Sequence, residues 1–386
     1  MLTDQQIAEY NRDGYVILRG VLSKDESESY RKLVVEKTPE LGYPPSLTYP
    51  APGKYTISGN SLAEPGFASI VEHPTVVDAV EDLLGEPAHL TAFVAYLRSA
   101  GDKGSGAHSD YKRWRPVGSS MNWLFTIIPL TDFNDEYGPL LVSPGSHLLS
   151  DVTDREARIW DVPRPDAKQL ADFIDPELKA GDVLLMHGHT WHKAPAGTTS
   201  DDRCGFFNKY CGVSAPPAAG YYPYTSSTVE AMSDDGRRLI PNPSDLQVTT
   251  TRLLLEATNG ESRFFLPESG ELPGGPGYEE ENVGWDVGAR VGSIQDHALD
   301  QVDIEIPWVS YIGDAEEGSV LCRYYGYLDE SMDPDKIGGG RWLTMSELLD
   351  AVGDNRPIGQ MAQLWMDSAI VRGKGKAIRQ RKQQFE

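Results

Sequence analysis

The spacing of apolar positions changes along the chain. Up to Gly85 it is mostly helical. Thr3 and Gln6 form a capping-box pattern, in which hydroxyl and amide each satisfy a backbone N–H left open at a helix start. Ile7 and Tyr10 follow at helical spacing, Gly14 predicts the helix end, and residues 15–18 read as a brief strand. Ser23 and Glu26 repeat the box and open a helix to about Thr38, and a third helix is predicted over 73–84. Between these two helices, residues 42–66 are rich in Pro, Gly, Ser and Tyr and read as a long ordered loop.

From Thr91 the pattern becomes short runs of strand formers at 93–97, 123–129 and 182–187, separated by Gly, Pro and Asp turns. This predicts an antiparallel barrel or sandwich rather than βαβ units. No glycine-rich nucleotide loop is present. After a break at 216–220, strands are predicted at 250–257, 262–266, 302–312 and 320–328. A helix is predicted over 342–352 with Thr344 and Glu347 at its start, and a last helix from Gln360 towards the tail.

Composition narrows the classes. Across 386 residues, 58 acidic against 35 basic side chains give a net charge of −23, which repels phosphate backbones and anionic membranes. A hydrophobic fraction of 39% supports a real core. Cys204, Cys211 and Cys322 are too few and scattered for a disulfide framework and read as free thiols. With no apolar run long enough to span a bilayer, a soluble, cytoplasmic protein is the expectation. The tail is the exception in charge, carrying Arg372, Lys374, Lys376, Arg379, Arg381 and Lys382.

The chemistry concentrates in His108-Ser109-Asp110. On an extended strand, residues two apart share a face, so imidazole and carboxylate can reach one ion. His187, His189 and His192 form a second cluster. Two histidines and one carboxylate make the facial triad of non-haem iron oxygenases, which leaves metal positions open for co-substrate and O2. Alone, His-x-Asp also suits an ordinary polar strand, and the spacing does not select among the later histidines. His189 and His192 are an odd number apart, so on a regular strand at most one faces the metal.

Four motifs in order resemble the phytanoyl-CoA dioxygenase family of Fe(II)/2-oxoglutarate oxygenases. They are Gly14 to Gly20, His108-x-Asp110, the turn Asn134-Asp135-Glu136-Tyr137-Gly138-Pro139-Leu140 with Ser143-Pro144-Gly145-Ser146-His147, and Gly181-Asp182 with His187, His192 and Arg203. The resemblance covers about residues 1–215. It implies a mainly β fold with N-terminal helices: a double-stranded β-helix (jelly roll, cupin-like) core over 1–220, followed by a C-terminal α+β extension over 221–386.

The resemblance selects His108, Asp110 and His192 as metal ligands and the catalytic set, with His189 the runner-up. Arg203, eleven residues after His192, takes the co-substrate arginine's place, where a guanidinium fork suits a distal carboxylate. Thr126 or Asn122 would add a hydrogen bond to 2-oxoglutarate. The implied cofactors are Fe(II), 2-oxoglutarate and O2. The implied reaction hydroxylates a small organic molecule and releases succinate and CO2. Desaturation, epoxidation or rearrangement uses the same triad, and a non-catalytic metal-binding barrel is the contrasting class. Retention of Asp110 favours hydroxylation over halogenation. Arg98, Lys112, Arg113, Trp114, Arg115 and Tyr55 are candidate substrate contacts, the cations towards an anionic substrate, and residues 44–67 a candidate lid. The extension is expected to serve as a substrate lid or a homodimer contact. Its 342–349 segment faintly resembles the closing helix region of Nudix domains.

Overall fold

The computed structural model describes residues 1–42, 53–110, 123–150, 170, 172–199, 201–214, 216–217, 220–258, 261–276, 288–306, 309–329, 332–353 and 357–367. Helices α1 (Asp4–Asp13) and α2 (Lys24–Leu41) start on complete capping boxes at Thr3 and Ser23. Helix α1 stops at Gly14, whose φ of 81° suits glycine, and a Cβ there would lie 2.4 Å from His147 Nδ1. Strand β1 (Tyr15–Leu18) follows.

The region predicted as loop contains strand β2 (Lys54–Ser58), ahead of α3 (Phe67–Val71) and α4 (Pro74–Leu84). Its Lys-Tyr-Thr-Ile-Ser alternation has period two but is short, and pairing with a neighbouring strand makes it visible.

The remaining strands of this half are β3 (Ala88–Ala92), β4 (Val94–Arg98), β5 (Gly104–His108), β6 (Trp123–Pro129), β7 (Leu141–Val142), β8 (Val183–His187), β9 (His192–Pro195) and β10 (Arg203–Gly212). The large sheet runs β1-β8-β6-β10-β4-β2, with β3 also on β10; the small one runs β5-β9-β7. Alternation sorts their side chains. Leu124, Ile128, Leu185, Phe206 and Tyr210 face the helices and pack with Val34, Phe67, Ile70 and Val80. Phe125, Ile127, Leu184 and Met186 face the other way and pack on Leu140, Val142 and Ala194 of the small sheet's side. Each large apolar side chain so buried contributes about 1.5–3 kcal/mol. The result is a helix layer, a large sheet and a small sheet: a sandwich, with neither sheet closing on itself among the described residues.

After α5 (Ser226–Glu230), a third sheet is built from β11 (Val248–Thr258), β12 (Ser262–Pro267), β13 (Gly274–Pro276), β14 (Ser310–Glu317), β15 (Val320–Asp329) and β16 (Gly340–Leu343). Its order is β14-β15-β11-β12-β16, with β13 on β11 and the β11–β15 pair parallel. Leu253, Leu255, Phe265 and Tyr325 pack on α6 (Gly288–Val302). Leu254, Phe264, Leu266 and Tyr324 pack on α7 (Met345–Val352) and α8 (Pro357–Asp367).

Two predicted elements change here. In place of the 302–312 strand, α6 runs to Val302, Asp303 takes a φ of 54°, residues 304–306 form no strand, and β14 begins only at Ser310. The helix predicted from 342 starts at Met345, because Trp342 and Leu343 pair with Phe265 and Phe264 while Thr344 caps. The basic tail lies outside the described residues. Among the described residues, no helix is long and apolar enough to cross a membrane.

Arg323 anchors Tyr221, whose hydroxyl meets His89 Nδ1 of the first half at 3.0 Å. Fully buried, Arg323 donates to both carboxylate oxygens of Asp314 at 2.8 and 2.9 Å and to the Tyr221 carbonyl at 2.6 Å. Arg323→Met leaves a buried carboxylate uncompensated, so we expect a loss of about 3–5 kcal/mol in urea unfolding. Pairing it with Asp314→Leu should recover most of that loss; an equal loss in single and double variants would contradict this account.

Candidate metal centre and oxyanion pocket

The site begins with a register. His108 on β5 stands opposite His192 on β9, their ring centroids 4.4 Å apart. Ser105 pairs with Ala194, so β5 carries one extra residue between the two pairs, a bulge. The bulge lets Ser105 and His108, three apart, both meet interior groups: Lys54 Nζ donates to Ser105 Oγ at 3.2 Å.

Asp110 follows two residues later, with Oδ1 3.3 Å from His108 Nε2. One ligand atom from each of His108, Asp110 and His192 lies within 4.8 Å of the others, so these three can hold a metal ion. The tautomers fit. His108 Nδ1 donates to the Gly106 carbonyl at 2.7 Å and His192 Nδ1 to the Thr190 carbonyl at 3.1 Å, since a carbonyl only accepts. Both Nε2 lone pairs therefore point away from the backbone, as a metal requires.

Charge states fit as well. Burial pushes the His192 ring down to about 4, outweighing Asp110, so it is neutral near pH 7. Burial pushes the Asp110 carboxyl up, but Lys209 and the two histidines outweigh it and hold the group well below the usual carboxylate range. A deprotonated carboxylate and a neutral imidazole are the forms that bind metal.

Arg203, 4% exposed, opens β10. Its Nε donates to the Gly138 carbonyl at 2.7 Å and its guanidinium carbon sits 3.5 Å from the Phe133 ring centroid. Nη2 is buried and has no hydrogen-bond partner among the described residues. Burial and then Arg98 push this group well below its usual range.

The turn before β7 explains the carbonyl. Asn134 Oδ1 accepts from the backbone of Glu136 and Tyr137, and Gly138, at φ 92°, passes so close to β9 that a Cβ would lie 2.6 Å from the Pro195 carbonyl. The next turn fixes His192 instead. Ser146 Oγ accepts from Trp191 N at 2.8 Å, and Ser143 N donates to the Trp191 carbonyl at 2.9 Å. His147 donates to the Asn11 carbonyl.

The sequence profile of the phytanoyl-CoA dioxygenase (PhyH) family matches residues 10–205. The chain belongs to the phytanoyl-CoA dioxygenase family. It is a dioxygenase, as are the two curated relatives that follow. Dioxygenase af480 of Aspergillus fumigatus is 28% identical over 223 residues, 55% of this chain and 68% of that protein. The ectoine dioxygenase of Bordetella bronchiseptica is 26% identical over 248 residues, 58% of this chain and 80% of that one. Among solved structures, the non-heme alpha ketoglutarate dependent carbocyclase SnoK from nogalamycin biosynthesis has a TM-score of 0.49 at 23% identity, covering 63% of this chain and 93% of its own.

Other expected residues of this phytanoyl-CoA dioxygenase family member lie elsewhere. Thr126 is fully buried on the helix-facing side of β6, between Asn208 and Leu185, while Phe125 and Ile127 face the site. Strand alternation therefore removes it from the pocket. Tyr55 alternates with the interior Lys54, pairs with Leu97 and is exposed, so it also faces away. Arg98 is interior but committed: it pairs with Asp102 and donates to the Ala194 carbonyl at 3.1 Å. Asn122, Lys112, Arg113, Trp114 and Arg115 lie outside the described residues. His187 packs between Tyr10, His147 and His189, and neither His187 nor His189 joins the ligand group.

Two residues enter that the motifs missed. Lys54, Arg98 and Arg203 stand at one register across β2, β4 and β10. Burial and then Arg98 push the Lys54 amine down. Lys209 on β10 lies 3.8 Å from Asp110 Oδ2. Its separation of six from Arg203, an even number, was the available signal.

The His192 shift has a definite sign. The folded ring binds fewer protons than an unfolded histidine of ordinary value 6.5, so its contribution is complete above that value and is lost as pH falls towards about 4. The metal-free protein should lose up to about 3 kcal/mol more than His192→Gln between pH values of about 7.5 and 4.5 in urea unfolding. Parallel losses would contradict it.

Proposed function

We propose that the chain is an Fe(II)- and 2-oxoglutarate-dependent dioxygenase that hydroxylates a small organic molecule and releases succinate and CO2. Its core would be a double-stranded β-helix within residues 1–220. The observation that carries this reading is the buried guanidinium of Arg203, with Nη2 open, in the same interior as a two-histidine, one-carboxylate cluster. A desolvated cation with an open donor is costly unless an anion completes it, and a dicarboxylic co-substrate brings one.

His108, Asp110 and His192 would hold the iron, which supplies O2 activation when bound. Gly138 and Phe133 fix the guanidinium so that its remaining donors meet the distal carboxylate in one orientation. The Gly106 and Thr190 carbonyls hold both imidazole tautomers. Asp110 fills the third ligand place with carboxylate, which favours hydroxylation over halide transfer.

Anaerobic addition of Fe(II) and 2-oxoglutarate should produce a metal-to-ligand charge-transfer band that His192→Ala abolishes. Arg203→Met should keep divalent-metal affinity but weaken 2-oxoglutarate binding roughly a hundredfold, the scale of a lost charge-assisted pair. A wild-type protein that binds metal without the band would refute the proposal.

A further inference from the structure

Arg98 closes β4 and stands opposite Arg203 of β10. Its side chain is 6% exposed and binds two partners. Nε donates to Asp102, which is buried with it, and Nη2 donates to the Ala194 carbonyl at 3.1 Å. Asp102 lies in the turn from β4 to β5, where its backbone N–H donates to the Ser99 carbonyl at 3.2 Å, and β5 ends on His108. Ala194 lies on β9, two residues after His192. One buried guanidinium therefore ties the strand beside Arg203 to β9 and to the turn that leads into β5.

Arg203 reaches the same end of β9 by a second route. Its Nε donates to the Gly138 carbonyl, and a Cβ on Gly138 would lie 2.6 Å from the Pro195 carbonyl oxygen. Gly104, which opens β5, packs so tightly on the Ala194 carbonyl that a Cβ would lie 2.5 Å from its oxygen. The backbone at 194–195 is thus gripped from Arg98, from Arg203 through Gly138, and from β5. A planar fork bound to a carboxylate and a carbonyl resists sliding in a way that a point charge does not. What this clamp fixes is the separation between the two strands that carry the histidine ligands and Arg203.

We propose that Arg98, through Asp102 and Ala194, is a positioning residue that sets the length of the 2-oxo dicarboxylate the site accepts. The inference rests on the iron and 2-oxoglutarate reading, in which one molecule spans from the metal to Arg203. With that span fixed, a chain one methylene longer has to compress or release one end. A site of fixed size discriminates such neighbours roughly 10–200-fold. Arg98 acts through the backbone it holds and makes no bond to the co-substrate. Its expected role as a contact for an anionic substrate gives way to one in co-substrate selection.

The test measures Co(II) affinity of the full chain, then titrates the Co(II)-loaded protein with 2-oxoglutarate and with 2-oxoadipate, read from the Co(II) d–d spectrum. Wild type should favour 2-oxoglutarate at least about tenfold. Arg98→Lys keeps the charge without the fork, and should narrow that preference to within about threefold by weakening 2-oxoglutarate. Asp102→Asn loosens the clamp from its other side and should move the ratio the same way. Both variants should keep Co(II) affinity within about threefold, because the β5–β9 register holds the ligands. An unchanged ratio in either variant overturns the proposal, as does equal binding of the two acids by wild type. So does a loss of Co(II) affinity in both variants, since Arg98 then holds the ligands themselves and not their distance from Arg203. Wild type that binds Co(II) but neither acid removes the underlying reading, and this inference with it.

Discussion

The site depends on the register between β5 and β9. His108 and His192 share a face because each sits opposite the other across an antiparallel pair, and a slip of one residue turns either imidazole away. Several features defend that register. The bulge after Ser105 absorbs the extra residue. The serine turn pins Trp191, and β7 pairs with β9 through Leu141–Lys193 and Val142–His192. A small sheet with one short strand is a weak support by itself. Packing of Val142 and Ala194 on Phe125, Ile127 and Met186 attaches it to the large sheet, which helices cover from behind.

Charge is the second constraint, and it runs against the average. A chain of net charge −23 gathers Lys54, Arg98, Arg203 and Lys209 in one interior. Isolated buried cations are expensive, and proteins keep them where something anionic binds. Arg203 is the clearest case, because Gly138 and Phe133 hold its planar group without neutralising it. The same logic separates Arg98, already matched by Asp102, from Arg203.

Much of this was legible in the amino-acid order, for local reasons. Capping boxes at Thr3, Ser23 and Thr344 use side chains three residues apart, and all three form. His108 closes β5 and Asp110 stands two residues past its end, close enough in sequence for one local segment to bring both to the cluster, and the Asn134 turn carries its own hydrogen bonds. What failed needed partners far along the chain. Residues 302–306 alternate apolar and polar and so imitate a strand, yet Ile304 and Ile306 form no strand and press into the second core. Thr126 was read from its place on the strand after the metal motif, without the register, and one step of strand alternation turns it to the helix-facing side. The cation row exists only across three paired strands, so no single segment displays it.

The central claim is tested most directly by a crystal structure of the anaerobic protein with Fe(II) and 2-oxoglutarate, the ion located by anomalous scattering. The account predicts iron on His108 Nε2, His192 Nε2 and the Asp110 carboxylate, with the distal carboxylate of 2-oxoglutarate on Arg203. Iron bound instead among His147, His187 and His189, or Arg203 turned away from the co-substrate, would contradict it.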